Sequence, residues 1–166
     1  MIFGMPTATY TFIHVAISLV GIFSGFVVIF GLLASKRFDG WTALFLGTTV
    51  ATSVTGYGFP TDRLLPSQVV GAISLVVLTV AIVARYGRRL AGAWRKTYVI
   101  TATIALYLNV FVLIVQAFLK VPSLKALAPT QHEPPFLVAQ LGAMALFVVL
   151  TIVAAIKFRD EAVRPA

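Results

Sequence analysis

The sequence predicts an all-α, polytopic membrane helix bundle with five transmembrane helices, its N-terminus outside and its C-terminus cytoplasmic. Three observations predict it: the composition, a series of long apolar runs, and the one-sided distribution of Lys and Arg. Of 166 residues, 60% are hydrophobic and 11% charged, whereas a soluble domain carries about 25% charged residues. That leaves too little polar surface to cover a water-soluble globule. Each of the five apolar runs comes near the ~20 residues that a helix needs to cross hydrocarbon. The length suits one membrane domain over residues 1–166.

The first run covers residues 10–34. The N-terminus, MIFGMPTATY, has no basic residue. The run is too long for a signal-peptide core and no A-x-A site follows it, so it reads as a retained span rather than a cleaved signal. The second run, residues 42–59, is rich in Thr and Gly. The third covers residues 68–84. These two are the shortest, and a hairpin that stops short of crossing is the alternative there. The fourth covers residues 97–119 and the fifth residues 135–156. No internal repeat is evident.

Orientation follows from the loops. The segment before the first span, the loop after the second and the loop after the fourth together hold three Lys or Arg. The other loops and the tail hold ten, five of them in RYGRRLAGAWRK. The positive-inside rule places the ten in the cytoplasm. Trp41 and Trp94 then fall at the cytoplasmic interface, where amphipathic rings sit well. The net charge of +8 is thus a matter of topology. Nucleic acid is not expected as a partner, because no basic segment is free of an adjacent span. The basic loop can also attract anionic lipid.

With no cysteine in the chain, disulfides, thiolate metal sites and a thiol nucleophile are excluded. Asp39, Asp62, Glu133, Asp160 and Glu161 all lie in loops or the tail. Proton pumps and many ion-coupled transporters keep a carboxylate at membrane depth, so a transporter or channel is the weaker class. There is no Walker loop, GxGxxG, HExxH or GxSxG. His14, His132 and Glu133 are too few to claim a metal site, and none is expected.

Neutral polar residues collect in one layer beneath the outer surface: His14, Thr52, Ser53, Thr55, Gln116 and Gln140, with Asn109 deeper. His14, Ser18, Gly21 and Gly25 share one helical face, and Gly21 and Gly25 form a GxxxG that lets another helix approach. Two uses fit this layer. It can hold helices together, or it can bind a ligand or cofactor, quinone or haem b, with His14, Gln116 and Gln140 as contacts and His132 on a covering loop. That loop, LKALAPTQHEPPF, carries two prolines that suit the first turn of a helix, with Glu133 at the positive end of its dipole. Residues 123–127 suit a short interfacial turn. The sequence leaves the loop as either a lid over the polar layer or a hinge.

The run YLNVFVLIVQAFLKVPSLKALAPTQHEPPF, residues 107–136, resembles the signature segment of a family of small uncharacterised bacterial multi-pass inner-membrane proteins. The resemblance implies a bacterial inner-membrane setting and no catalytic residue. The expectation is therefore a non-enzymatic scaffold or accessory subunit in a lipid bilayer, packing with itself or another membrane protein through the Gly21/Gly25 face. Ligand or cofactor binding around His14 is the alternative.

Overall fold

A computed structural model describes residues 1–63 and 65–158. The tail residues counted above from Arg159 onward lie outside the described residues. The described chain is all-helical apart from one isolated β-bridge between Ile2 and Met5. Its helices are α1 (Thr7–Leu33), α2 (Asp39–Thr55), α3 (Pro66–Ile82), α4 (Ala93–Lys120), α5 (Pro122–Leu127) and α6 (Pro134–Lys157). Four are long and apolar enough to cross a membrane: α1, α3 with its continuation to Gly87, α4 and α6. The remaining long helix, α2, has 17 residues, about 25 Å at 1.5 Å per residue.

Local chemistry sets the ends. The C-terminus of α1 is a Schellman motif: Lys36 N–H donates to Gly31 C=O at 2.8 Å and Ser35 N–H to Leu32 C=O at 3.1 Å. Ser35 holds the left-handed position, φ 55°, where glycine is usual. Its hydroxyl donates to the Lys157 carbonyl at the far end of α6. Asp39 sits in the first turn of α2, where its charge suits the helix dipole. Beyond Thr55 a 3₁₀ turn, Gly56–Gly58, leads to Phe59. Pro60 holds Phe59 extended, at ψ 127°. Pro66 opens α3, and Gln68 Oε1 accepts the Leu65 N–H at 3.1 Å. Pro134 and Pro135 open α6, so the double proline starts a helix. The short interfacial turn is the helix α5.

Helices α1 and α2 pack most extensively, α3 joins α2 to α4, and α4 touches α1, α2, α3 and α6. The core is accordingly centred on α4, with Val99, Ala102, Ala105 and Leu106 against Ile29, Phe45 and Leu78. By contrast α6 rests on α4 and one edge of α1. Val138, Leu141, Val149, Ile152 and Ile156 on it stay exposed, as suits a face in contact with lipid.

Candidate functional site

The pairing of α1 with α2 builds the site. Facing residues advance in step along the two helices. His14 meets Thr55, Gly21 lies against Thr48 and Thr49, Gly25 against Phe45, and Gly31 against Phe38. The glycines set the spacing: a Cβ on Gly25 would lie 2.6 Å from Leu106 Cδ1 and 2.9 Å from the Phe45 ring. Gly21 and Gly25 are therefore packed against α2 and α4 of the same chain. A side chain at Gly25 would force the Leu106 and Phe45 side chains to move.

At one end of this pair His14, Tyr10, Thr55 and Phe59 form a cluster. His14 Nδ1 lies 2.8 Å from Thr55 Oγ1. The Thr55 hydroxyl donates its single hydrogen to Ala51 C=O at 2.7 Å, so it accepts from the ring. That assigns the proton of neutral His14 to Nδ1 and leaves a lone pair on Nε2. Tyr10 donates to the Thr55 carbonyl at 2.8 Å. The Phe59 ring stands edge-on to both, with centroids 5.1 Å from Tyr10 and 5.2 Å from His14. Gly58 admits this arrangement, since a Cβ there would collide with the Tyr10 hydroxyl. The N-terminal turn, with Phe3 and Gly4 both at positive φ, sets the Phe3 ring 6.1 Å from Tyr10.

The remaining polar residues have separate partners. Ser18 donates to Asn109 Oδ1 at 3.1 Å, joining α1 to α4. Gln140 Nε2 donates to Phe111 C=O at 3.2 Å, joining α6 to α4. Gln116 is half-buried on α4. His132 is exposed, and its backbone N–H donates to Glu133 at 3.1 Å. No hydrogen bond among the described residues joins any two of His14, Gln116, Gln140 and His132. The loop turns Gln131 toward the bundle instead: its Nε2 donates to Val115 C=O at 2.9 Å.

The Glu133 carboxylate accepts from the Thr130 N–H at 3.2 Å, the Thr130 hydroxyl at 2.8 Å and the His132 N–H. Desolvation is the largest single influence and raises the Glu133 pKa, but the hydrogen bonds together outweigh it, so the carboxyl is held below its ordinary value.

Reading by sequence passes over Tyr10 and Phe59, which look like ordinary aromatics at the ends of apolar runs. It also passes over Arg85, which looks like one of five loop cations. Arg85 is buried, pairs with Asp39 at the start of α2, and stacks over Tyr98 at 5.4 Å. A π-helical turn, Val83–Gly87, turns it inward. Its only sequence signal is its place directly after an apolar run.

A groove of about 270 Å³ lies elsewhere, between α4 and α6, lined by Ile104, Tyr107, Met144, Phe147, Val148 and Ile152. The hydroxyls beside it, Thr103 and Thr151, donate to their own helices at 2.7 Å, so it has the character of a lipid-facing groove. Among the described residues no three His, Asp or Glu side chains gather to hold a metal. Comparison with family models, with characterised proteins and with solved structures finds no match to this chain.

Proposed function

We propose that this chain is a small multi-pass protein of a bacterial inner membrane, acting as a non-enzymatic scaffold or accessory subunit. It has five spans, its N-terminus outside and its C-terminus cytoplasmic. One observation carries the functional reading: His14, Tyr10, Ser18 and Gln140 each make a hydrogen bond that ties one helix to another. His14 and Tyr10 bind Thr55, Ser18 binds Asn109, and Gln140 binds Phe111. Interhelical bonds of this kind contribute ~0.6–2 kcal/mol each.

The five-span reading is supported by α2. One end of it meets His14 through Thr55 and the other meets Arg85 through Asp39. The helix therefore runs the length of the bundle, although it is short. The Asp39 end also gathers Lys36, Arg88, Arg89, Arg95 and Lys96, which favours that end as cytoplasmic.

The test is His14→Leu in protein purified in detergent. The scaffold reading expects a lower unfolding temperature, a loss of ~1–2 kcal/mol, and no change in an absorption spectrum that is featureless in the visible. A Soret band, or a quinone that copurifies and is lost in His14→Leu with the unfolding temperature unchanged, would replace this reading with cofactor binding.

A further inference from the structure

The groove of about 270 Å³ between α4 and α6 opens on the outer surface of the bundle. Its floor is the buried Phe147, and its walls are Ile104 and Tyr107 on α4 and Met144, Val148 and Ile152 on α6. The Tyr107 and Phe147 rings close its inner side, with centroids 5.6 Å apart. Ile104, Met144, Val148 and Ile152 are between 37% and 54% exposed, so the groove is open along its length. The Thr103 and Thr151 hydroxyls turn back on the Val99 and Phe147 carbonyls. The surface offered is mostly hydrocarbon and aromatic ring.

The same face of α4 leads from this groove to a positive charge. Lys96, Ile100, Thr103 and Tyr107 follow one another at i, i+4, i+7 and i+11, one stripe along the helix. Lys96 and Ile100 are both exposed, so an open apolar path joins the ammonium to the groove. Along the axis, Lys96 is about 10 Å from Thr103 and about 16 Å from Tyr107, at 1.5 Å per residue. Half the hydrocarbon thickness of a bilayer is about 15 Å. With Lys96 at headgroup level, the groove therefore falls within one leaflet. Among the described residues no carboxylate pairs with Lys96, and Asp39 at this end is held by Arg85.

An apolar groove with an uncommitted cation one leaflet away matches an amphiphile of negative charge. We propose that α4 and α6 hold one anionic phospholipid. Its phosphate sits on Lys96, and one acyl chain passes over Ile100 into the groove against Tyr107 and Phe147. The chain fixes the position of the lipid and the charge selects its headgroup. A zwitterionic headgroup carries its own cation, which Lys96 repels, so it fits the site less well. The bound lipid also joins α6 to α4 along an edge that the protein leaves open. That matters because α6 rests only on α4 and one edge of α1.

The probes are dioleoyl phosphatidylglycerol and dioleoyl phosphatidylcholine, which share acyl chains and differ in headgroup charge. Each is titrated into the purified protein in a neutral detergent, and bound lipid is counted by native mass spectrometry. Phosphatidylglycerol is expected to bind about 5-fold more tightly, the factor that one cation beside an anionic headgroup supplies. Lys96→Gln should remove that preference. Lys36→Gln takes the same charge from the α1–α2 loop and should keep it. Val148→Phe fills the groove and should lose both lipids. All three side chains are exposed, so the variants should unfold at the wild-type temperature without added lipid. Equal binding of the two lipids by the wild type would overturn the proposal. So would equal effects of Lys96→Gln and Lys36→Gln, which mean a diffuse field rather than a site. Undiminished binding by Val148→Phe would place the chain elsewhere, and a lipid-free dimer in the same spectra would give the groove to a second copy. Either result overturns it as well.

Discussion

Single residues in this chain are decided by what they face. Gly25 and Gly142 are both helical glycines, yet a Cβ on Gly25 enters Leu106 and Phe45 whereas a Cβ on Gly142 meets nothing within 4 Å. Gly25→Ala should therefore destabilise by about 1–3 kcal/mol, the usual cost of overpacking a filled core. Gly142→Ala should be neutral or stabilising by up to about 1 kcal/mol, since it removes only backbone freedom. Equilibrium unfolding in mixed detergent micelles measures both, and equal losses would contradict the packing described. Tyr10 offers a second comparison. Tyr10→Phe keeps the edge-to-face contact with Phe59 and removes only the hydrogen bond to Thr55, so a loss of about 0.5–1.5 kcal/mol is expected with the His14 contact intact.

At the scale of elements, the loop before α6 and the turn after α3 each depend on one charged side chain. Glu133 has a folded pKa below its ordinary value of 4.5. Its contribution to loop stability is thus complete above that value and is lost as pH falls through the lower, folded pKa. Carboxyl ¹³C titration should place Glu133 below 4.5. A value at or above 4.5 would mean that the Thr130 and His132 bonds do not form. The turn after α3 relies on Arg85, held between Asp39 and the Tyr98 ring. Asp39 is 81% exposed, so water screens the pair and its coupling should be modest, about 1 kcal/mol. A double-mutant cycle of Asp39→Asn and Arg85→Leu reads that coupling. Asp39→Asn alone strands a buried guanidinium, whereas Arg85→Leu replaces it with a side chain suited to the site. Additive losses would mean that the two charges do not interact.

For the whole molecule the decisive quantity is the number of crossings, and α2 determines it. If α2 crosses, Phe3 and Thr130 lie on one side of the membrane and Arg89 on the other. If it does not, Phe3 shares a side with Arg89 and is opposite Thr130. Single-cysteine variants Phe3→Cys, Arg89→Cys and Thr130→Cys, treated with an impermeant maleimide in intact cells, should label at Phe3→Cys and Thr130→Cys. Arg89→Cys should label only after permeabilisation. Joint labelling of Phe3→Cys and Arg89→Cys would reduce the count to four.

The helical class, the extent of the long helices and the helix start at Pro134 were legible from the sequence, because hydropathy and proline act locally. A lipid-embedded helix must satisfy its own backbone, so an apolar run of sufficient length states its own conformation. The polar layer was legible as a set of residue types at similar depth, but not as partnerships. His14 takes Thr55, Asn109 takes Ser18, and Gln140 takes a backbone carbonyl, while His132 stays on the surface. Those pairings depend on which helix faces which and in what register. Close contacts at Gly21 and Gly25 set that register. Burial of Arg85 likewise required the π-helical turn to bring it inside. Hydropathy depends on the residues of one run, whereas hydrogen-bond geometry depends on two runs at once, and that second dependence became visible only in the packed structure.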